Sequence, residues 1–76
     1  MDYHERIRNL REGLDLNQTE VAKLVFVDQR TYSSYETGRL RIPLDVVIAL
    51  ARFYDVDMDY ICGLTDKPEP FKEVKR

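Results

Sequence analysis

Residues 17–38, NQTEVAKLVFVDQRTYSSYETG, decide how the rest of this 76-residue chain is read. They encode two short helices joined by a tight turn, the first from about Gln18 to Val25 and the second from about Gln29 to Thr37. Asn17 is placed to N-cap the first, and Glu20 three positions on can close a capping box with it. Leu16 and Val21 flank that cap at the spacing of a hydrophobic staple. Asp28 stands at the start of the second helix, where Val27 and Tyr32 repeat the staple. Gly38 occupies the position of a helix-ending glycine.

The second helix divides into two unlike faces. Tyr32 and Tyr35, three apart, share a side with Val27. Gln29, Arg30, Thr31, Ser33 and Ser34 are left for solvent or a partner. All five are hydrogen-bonding side chains and none is a carboxylate. An ordinary surface helix mixes Glu and Lys on its wet side. Donors and short hydroxyls are the chemistry that reads base edges in a duplex groove.

Working outward, the chain is one domain by length. Its 43% hydrophobic content supplies a small core, and a domain of this size buries only roughly 60% of the surface of its unfolded chain. The start, Met-Asp-Tyr-His-Glu-Arg, is charged and lacks the apolar region of a secretory signal. No apolar run approaches the ~20 residues of a spanning helix. A single cysteine, Cys62, fits a reducing cytoplasm and reads as a small core residue rather than a nucleophile, since no base neighbours it. The formal net charge is −2, but its distribution is more informative. Residues 29–41 hold three arginines against one glutamate, an excess of +2, whereas residues 44–66 hold one arginine against five aspartates, an excess of −4. The positive end coincides with the second helix of the central pair.

The flanks read as helices too. Tyr3, Ile7, Leu10 and Leu14 form one apolar stripe from Tyr3 to about Glu12, with Asp2 as N-cap; Gly13 and Asp15 break it. His4 has no second His or Cys with which to hold a metal, so it is expected at the surface. By pattern alone Arg6, Arg8 and Arg11 share a wet face. Pro43 suits the first turn of a fourth helix, whose stripe of Leu44, Val47, Ile48, Ala51 and Tyr54 is widened by Val46, Leu50 and Phe53. Asp57 can cap a fifth, from Met58 to about Cys62, stopped by Gly63. Asp57, Asp59 and Asp66 lack the mid-loop Gly and final Glu of a calcium loop. Residues 67–76, with Pro68, Pro70 and alternating charges, read as an extended or disordered tail after a domain of residues 1–66; Phe71 and Val74 are its apolar positions, available to a neighbour.

These residues resemble the helix-turn-helix of the Cro/C1-type (XRE-like) repressors. The likeness runs from Asn17-Gln18-Thr19-Glu20-Val21-Ala22 through Val27-Asp28-Gln29-Arg30-Thr31-Tyr32 to Tyr35-Glu36-Thr37-Gly38-Arg39, and extends from about Ile7 to Gly63. It implies an all-α, five-helix, lambda-repressor-like bundle with its second and third helices as the motif. It implies a sequence-specific transcriptional regulator, a repressor by type, of a bacterium or phage, working in the cytoplasm on the nucleoid without a cofactor.

In such a motif the second helix enters the major groove, its N-terminal residues nearest the bases. That points to Gln29, Arg30, Thr31 and Ser34 as base contacts, with Gln29 suited to adenine and Arg30 to guanine. Asn17, Gln18, Thr19, Ser33, Arg39 and Arg41 make a phosphate rim, and Gln18 can also buttress Gln29. The resemblance further implies a clamp between Arg11 and Glu36. It sets a glycine where Phe26 stands, because that residue takes a positive φ. One copy reads few base pairs, so the expectation is a homodimer on palindromic operator DNA, joined through Phe53, Tyr60, Ile61 and Leu64, with no membrane and no small-molecule effector. A competing reading is an antitoxin-like or protein-interaction module on the same fold, which the −2 charge favours a little. An enzyme is disfavoured, since no phosphate loop, metal cluster or paired nucleophile and base is spelled by the spacing.

Overall fold

In the computed structural model, which describes residues 1–73, each helix begins where a short polar side chain can take up free backbone N–H groups. The helix α1 (Tyr3–Gly13) starts at Asp2, whose carboxylate accepts the His4 N–H. Asn17 and Glu20 close a reciprocal capping box on α2 (Gln18–Leu24). Asp28 accepts the Thr31 N–H at 2.6 Å and opens α3 (Gln29–Thr37). Asp57 caps α5 (Met58–Ile61) through the Tyr60 N–H. The exception is α4 (Leu44–Tyr54), where Pro43 stands one residue earlier than expected, at the N-cap with ψ 147°, and offers no side-chain bond. Among the described residues these five helices are the only regular elements, and no strand forms.

Two helices end through left-handed residues. Gly38 (φ 81°) stops α3 and Asp55 (φ 54°) stops α4. Phe26, in the turn between α2 and α3, has φ 61° and is 94% exposed. A side chain with a Cβ in that region costs about 1 kcal/mol relative to glycine.

The core joins one to three residues from every helix: Ile7, Val21 and Ala22, Tyr32 and Tyr35, Val46, Leu50 and Ala51, and Ile61, with Val25 and Val56 from the turns. The α1 helix is the hub, packed on α3 at one side and on α5 at the other, while α2 packs on α3 and α4 on α5. The broad stripe of α4 resolves into a narrower inward face of Val46, Leu50 and Ala51, so Leu44 and Phe53 are left exposed.

Three expectations are corrected here. Ile61 is 1% exposed and lies in the core, so it is not available as a contact between copies. Its helix is a single short turn, and that turn is held down by α1 and α4. His4 is half-buried rather than surface-exposed; its Nδ1 bonds the Tyr35 carbonyl near the end of α3 and its ring lies against Gly38. Arg6 is buried, not on a wet face. Its guanidinium sits 3.8 Å above the Tyr60 ring and donates to the Thr65 carbonyl (3.1 Å) and to Asp66 (2.8 Å).

The segment after Asp66 is extended and runs back along α4 and α5. The Asp57 N–H donates to the Glu69 carbonyl (2.8 Å), the Phe71 N–H to Asp55 (3.1 Å), and Arg52 makes two bonds to Glu73. The Phe71 ring is half-buried against the domain's own core. Val74 lies outside the described residues.

Candidate nucleic-acid interface

The first turn of α3 presents Gln29 and Arg30 to solvent. Thr31, Ser33 and Ser34 follow half-buried, and the Ser34 hydroxyl donates back to the Arg30 carbonyl at 3.2 Å. That bond reduces what Ser34 has to offer a partner. Beside this turn, Asn17 and Thr19 at the start of α2 are exposed. Arg39 and Arg41, in the loop after α3, are exposed as well. The outward face of α3 is therefore open, uncharged or basic, and flanked by two further arginines.

A chain of hydrogen bonds runs inward from that face. The Gln29 amide donates to Gln18 at 2.6 Å, and the Gln18 amide donates to Glu36 at 3.2 Å. Glu36 receives both Nε (2.7 Å) and Nη2 (2.9 Å) of Arg11, whose Nη1 donates to the Leu16 carbonyl at 2.8 Å. The Glu36 side chain is 2% exposed, so this bidentate pair is nearly out of water. Burial alone would raise the Glu36 carboxyl, but the bonds from Arg11 and Gln18 hold it below its ordinary value. The same bond to Glu36 raises Arg11. Burial pushes the neighbouring Tyr54 hydroxyl up to about 12, with the Glu36 charge adding to it. Asp28 is lowered by the Thr31 N–H it accepts, as expected of a cap. The arrangement fixes one exposed amide, Gln29, in orientation through a buried ion pair that ties α1 to α3.

The residues proposed for contact between copies differ in exposure. Leu64 is 77% and Phe53 41% exposed, whereas Tyr60 lies half-buried beneath Arg6 and Ile61 is in the core. Sequence reasoning missed Arg6, His4 and Phe71 as packing residues. Phe71, a lone aromatic in a polar tail, was the one signal available. Among the described residues no cluster of three or more His, Cys, Asp or Glu could hold a metal, and no helix is long and apolar enough to cross a membrane.

Two short helices in this arrangement, the second with an open polar face, define a helix-turn-helix domain. Residues 7–61 match the helix-turn-helix family, and the chain belongs to that family, in its Cro/C1 (XRE-like) branch. It is 41% identical over 73 residues to the uncharacterized HTH-type transcriptional regulator YobD of Bacillus subtilis, covering 96% of this chain and 65% of YobD. It is 44% identical over 54 residues to the cryptic phage CTXphi transcriptional repressor RstR of Vibrio cholerae, covering 71% of this chain and 49% of RstR. The chain thus spans less than two thirds of the length of either relative. The fold is similar to that of the P22 c2 repressor in complex with a synthetic operator, with a TM-score of 0.75, 25% identity, and coverage of 83% of this chain and 96% of that one.

Proposed function

We propose that this domain binds double-stranded DNA sequence-specifically and regulates transcription, acting as a repressor, with α3 in the major groove. The observation that carries the reading is the exposed first turn of α3, where Gln29 is held by Gln18 and Arg30 is open. Gln29 pairs with adenine and Arg30 with guanine; Thr31 offers a hydroxyl or its methyl, and Ser34 plays a minor part. Asn17, Gln18, Thr19, Ser33, Arg39 and Arg41 take the phosphates. The similarity to the transcriptional repressor RstR and the operator bound to the P22 c2 repressor support this reading. Such a protein works in the cytoplasm beside its DNA, without a cofactor and without enzymatic activity.

One copy reaches only a few base pairs, so the proposal includes a homodimer on a palindrome with half-sites about one helical turn apart. The exposed Leu64 and Phe53 are what remains of its candidate contact. Selection of bound fragments from a random DNA pool tests the whole reading. Enriched inverted repeats are the expected result. The absence of binding to any fragment at low salt overturns it, because even unspecific binding requires phosphate neutralisation. That outcome favours the protein-interaction module instead.

A further inference from the structure

Among the described residues three non-glycine residues have a positive φ: Asp15, Phe26 and Asp55. Aspartate tolerates that conformation because its short side chain bonds locally. Phenylalanine does not, and Phe26 gains nothing from the fold in return. It is 94% exposed, the most exposed large hydrophobic residue of the domain, and Leu24 two residues earlier is 45% exposed. A lone apolar side chain on a surface ordinarily needs no explanation. One held in a left-handed turn, where glycine would be unstrained, does.

Its position supplies the explanation. Phe26 precedes Gln29 by three residues, so their Cα atoms lie within about 10 Å of each other. A major groove about 12 Å wide that admits Gln29 and Arg30 has its wall within reach of an exposed side chain at that separation. We propose that Phe26 is a DNA contact of this domain, packing its ring against apolar carbon at the edge of the half-site, a thymine 5-methyl or a deoxyribose. The inference rests on the DNA-binding reading above and extends it to a residue outside the recognition helix. The contact is uncharged, so it adds affinity without adding to the salt dependence.

The test uses a fragment selected by the wild-type chain. Phe26→Asn keeps a residue that tolerates the left-handed turn and removes the ring; Phe26→Gly does so without any side chain; Phe26→Tyr keeps the ring. Expected are an unchanged or raised Tm for the Asn and Gly variants, a loss of about fivefold in DNA affinity for both, an unchanged salt slope, and retention by Phe26→Tyr. Replacing thymine by uracil in the fragment separates the two sources. If the thymine methyl is the contact, uracil weakens the wild type more than Phe26→Asn. If deoxyribose is the contact, uracil affects both alike. Wild-type affinity in the Asn and Gly variants overturns the inference and leaves the DNA-binding reading intact. Loss of self-association with unchanged half-site binding also overturns it, assigning the ring to a second copy. A wild-type chain that binds no DNA ends both.

Discussion

The α2–α3 end and the α4–α5 end of this domain both close over apolar residues, yet they hold their buried charges differently. At the first end Glu36 and Arg11 meet in a bidentate pair almost out of water, and Gln18 and Gln29 extend it to the surface. At the second end the buried cation Arg6 meets Asp66, which is 84% exposed, together with a backbone carbonyl and the Tyr60 ring. One arrangement carries rigidity outward to an exposed amide. The other pins an extended segment onto the domain. An ion pair buried on both sides leaves an unpaired charge in low dielectric if either partner goes. A pair with one wet partner does not, because water replaces the exposed carboxylate.

The largest effect expected from this contrast is on Arg11. Arg11→Ala strands the Glu36 carboxylate and should cost about 3 kcal/mol. In a domain of this size that lowers Tm by more than about 10 °C. Arg8→Ala, on the exposed side of α1, should be nearly silent. Equal shifts by thermal circular dichroism would dissolve the distinction between the two ends.

Next in size is the reading face itself. Arg30→Ala should cost about 1–3 kcal/mol of DNA affinity, relax preference at one base position and leave Tm unchanged. Arg41→Ala should weaken all sequences alike and reduce the salt slope by about 1. If the two variants behaved alike, Arg30 would belong with the phosphate contacts.

Acid separates the ends in another way. The Glu36 carboxyl is held below its ordinary value near 4.5, so its stabilising contribution is present above that value and is lost as pH falls through the lower, folded one. Wild-type Tm should drop across that range. Glu36→Gln, already weakened at neutral pH, should drop less. Parallel acid profiles for the two would remove Glu36 from the account.

The smallest effects lie in the extended segment. Phe71→Ala should cost about 1–2 kcal/mol through lost apolar burial. Arg52→Ala should cost under about 1 kcal/mol, because its pair with Glu73 is more than half exposed on both sides. Urea midpoints in the reverse order would mean that the ion pair, not the ring, holds the segment.

The parts of the fold legible beforehand were those specified locally. The caps at Asp2, Asn17, Asp28 and Asp57, the stop at Gly38 and the division of α3 into a tyrosine side and a polar side follow from neighbours within a turn or two. The open position of Gln29 and Arg30 follows from the same periodicity. The parts not legible were those decided by residues far apart in the chain. Periodicity made the fourth helix apolar nearly all round, and only its packing on α5 selected Val46, Leu50 and Ala51 as the inward face. A four-residue α5 gave no stripe to show that Ile61 turns inward. Arg6 looked like Arg8, because nothing within its own helix announces a carboxylate sixty positions later.

The sequence by itself therefore determined five helices, four of them capped by a side chain, a helix-turn-helix at the centre and the polar chemistry of its outer face, because capping and amphipathic spacing act over three or four residues. Only the tertiary structure decided which cation is buried, which apolar residues remain outside and where the extended segment lies. Those outcomes depend on which surfaces meet when α1 packs between α3 and α5, and burial is a property of that meeting rather than of any residue alone.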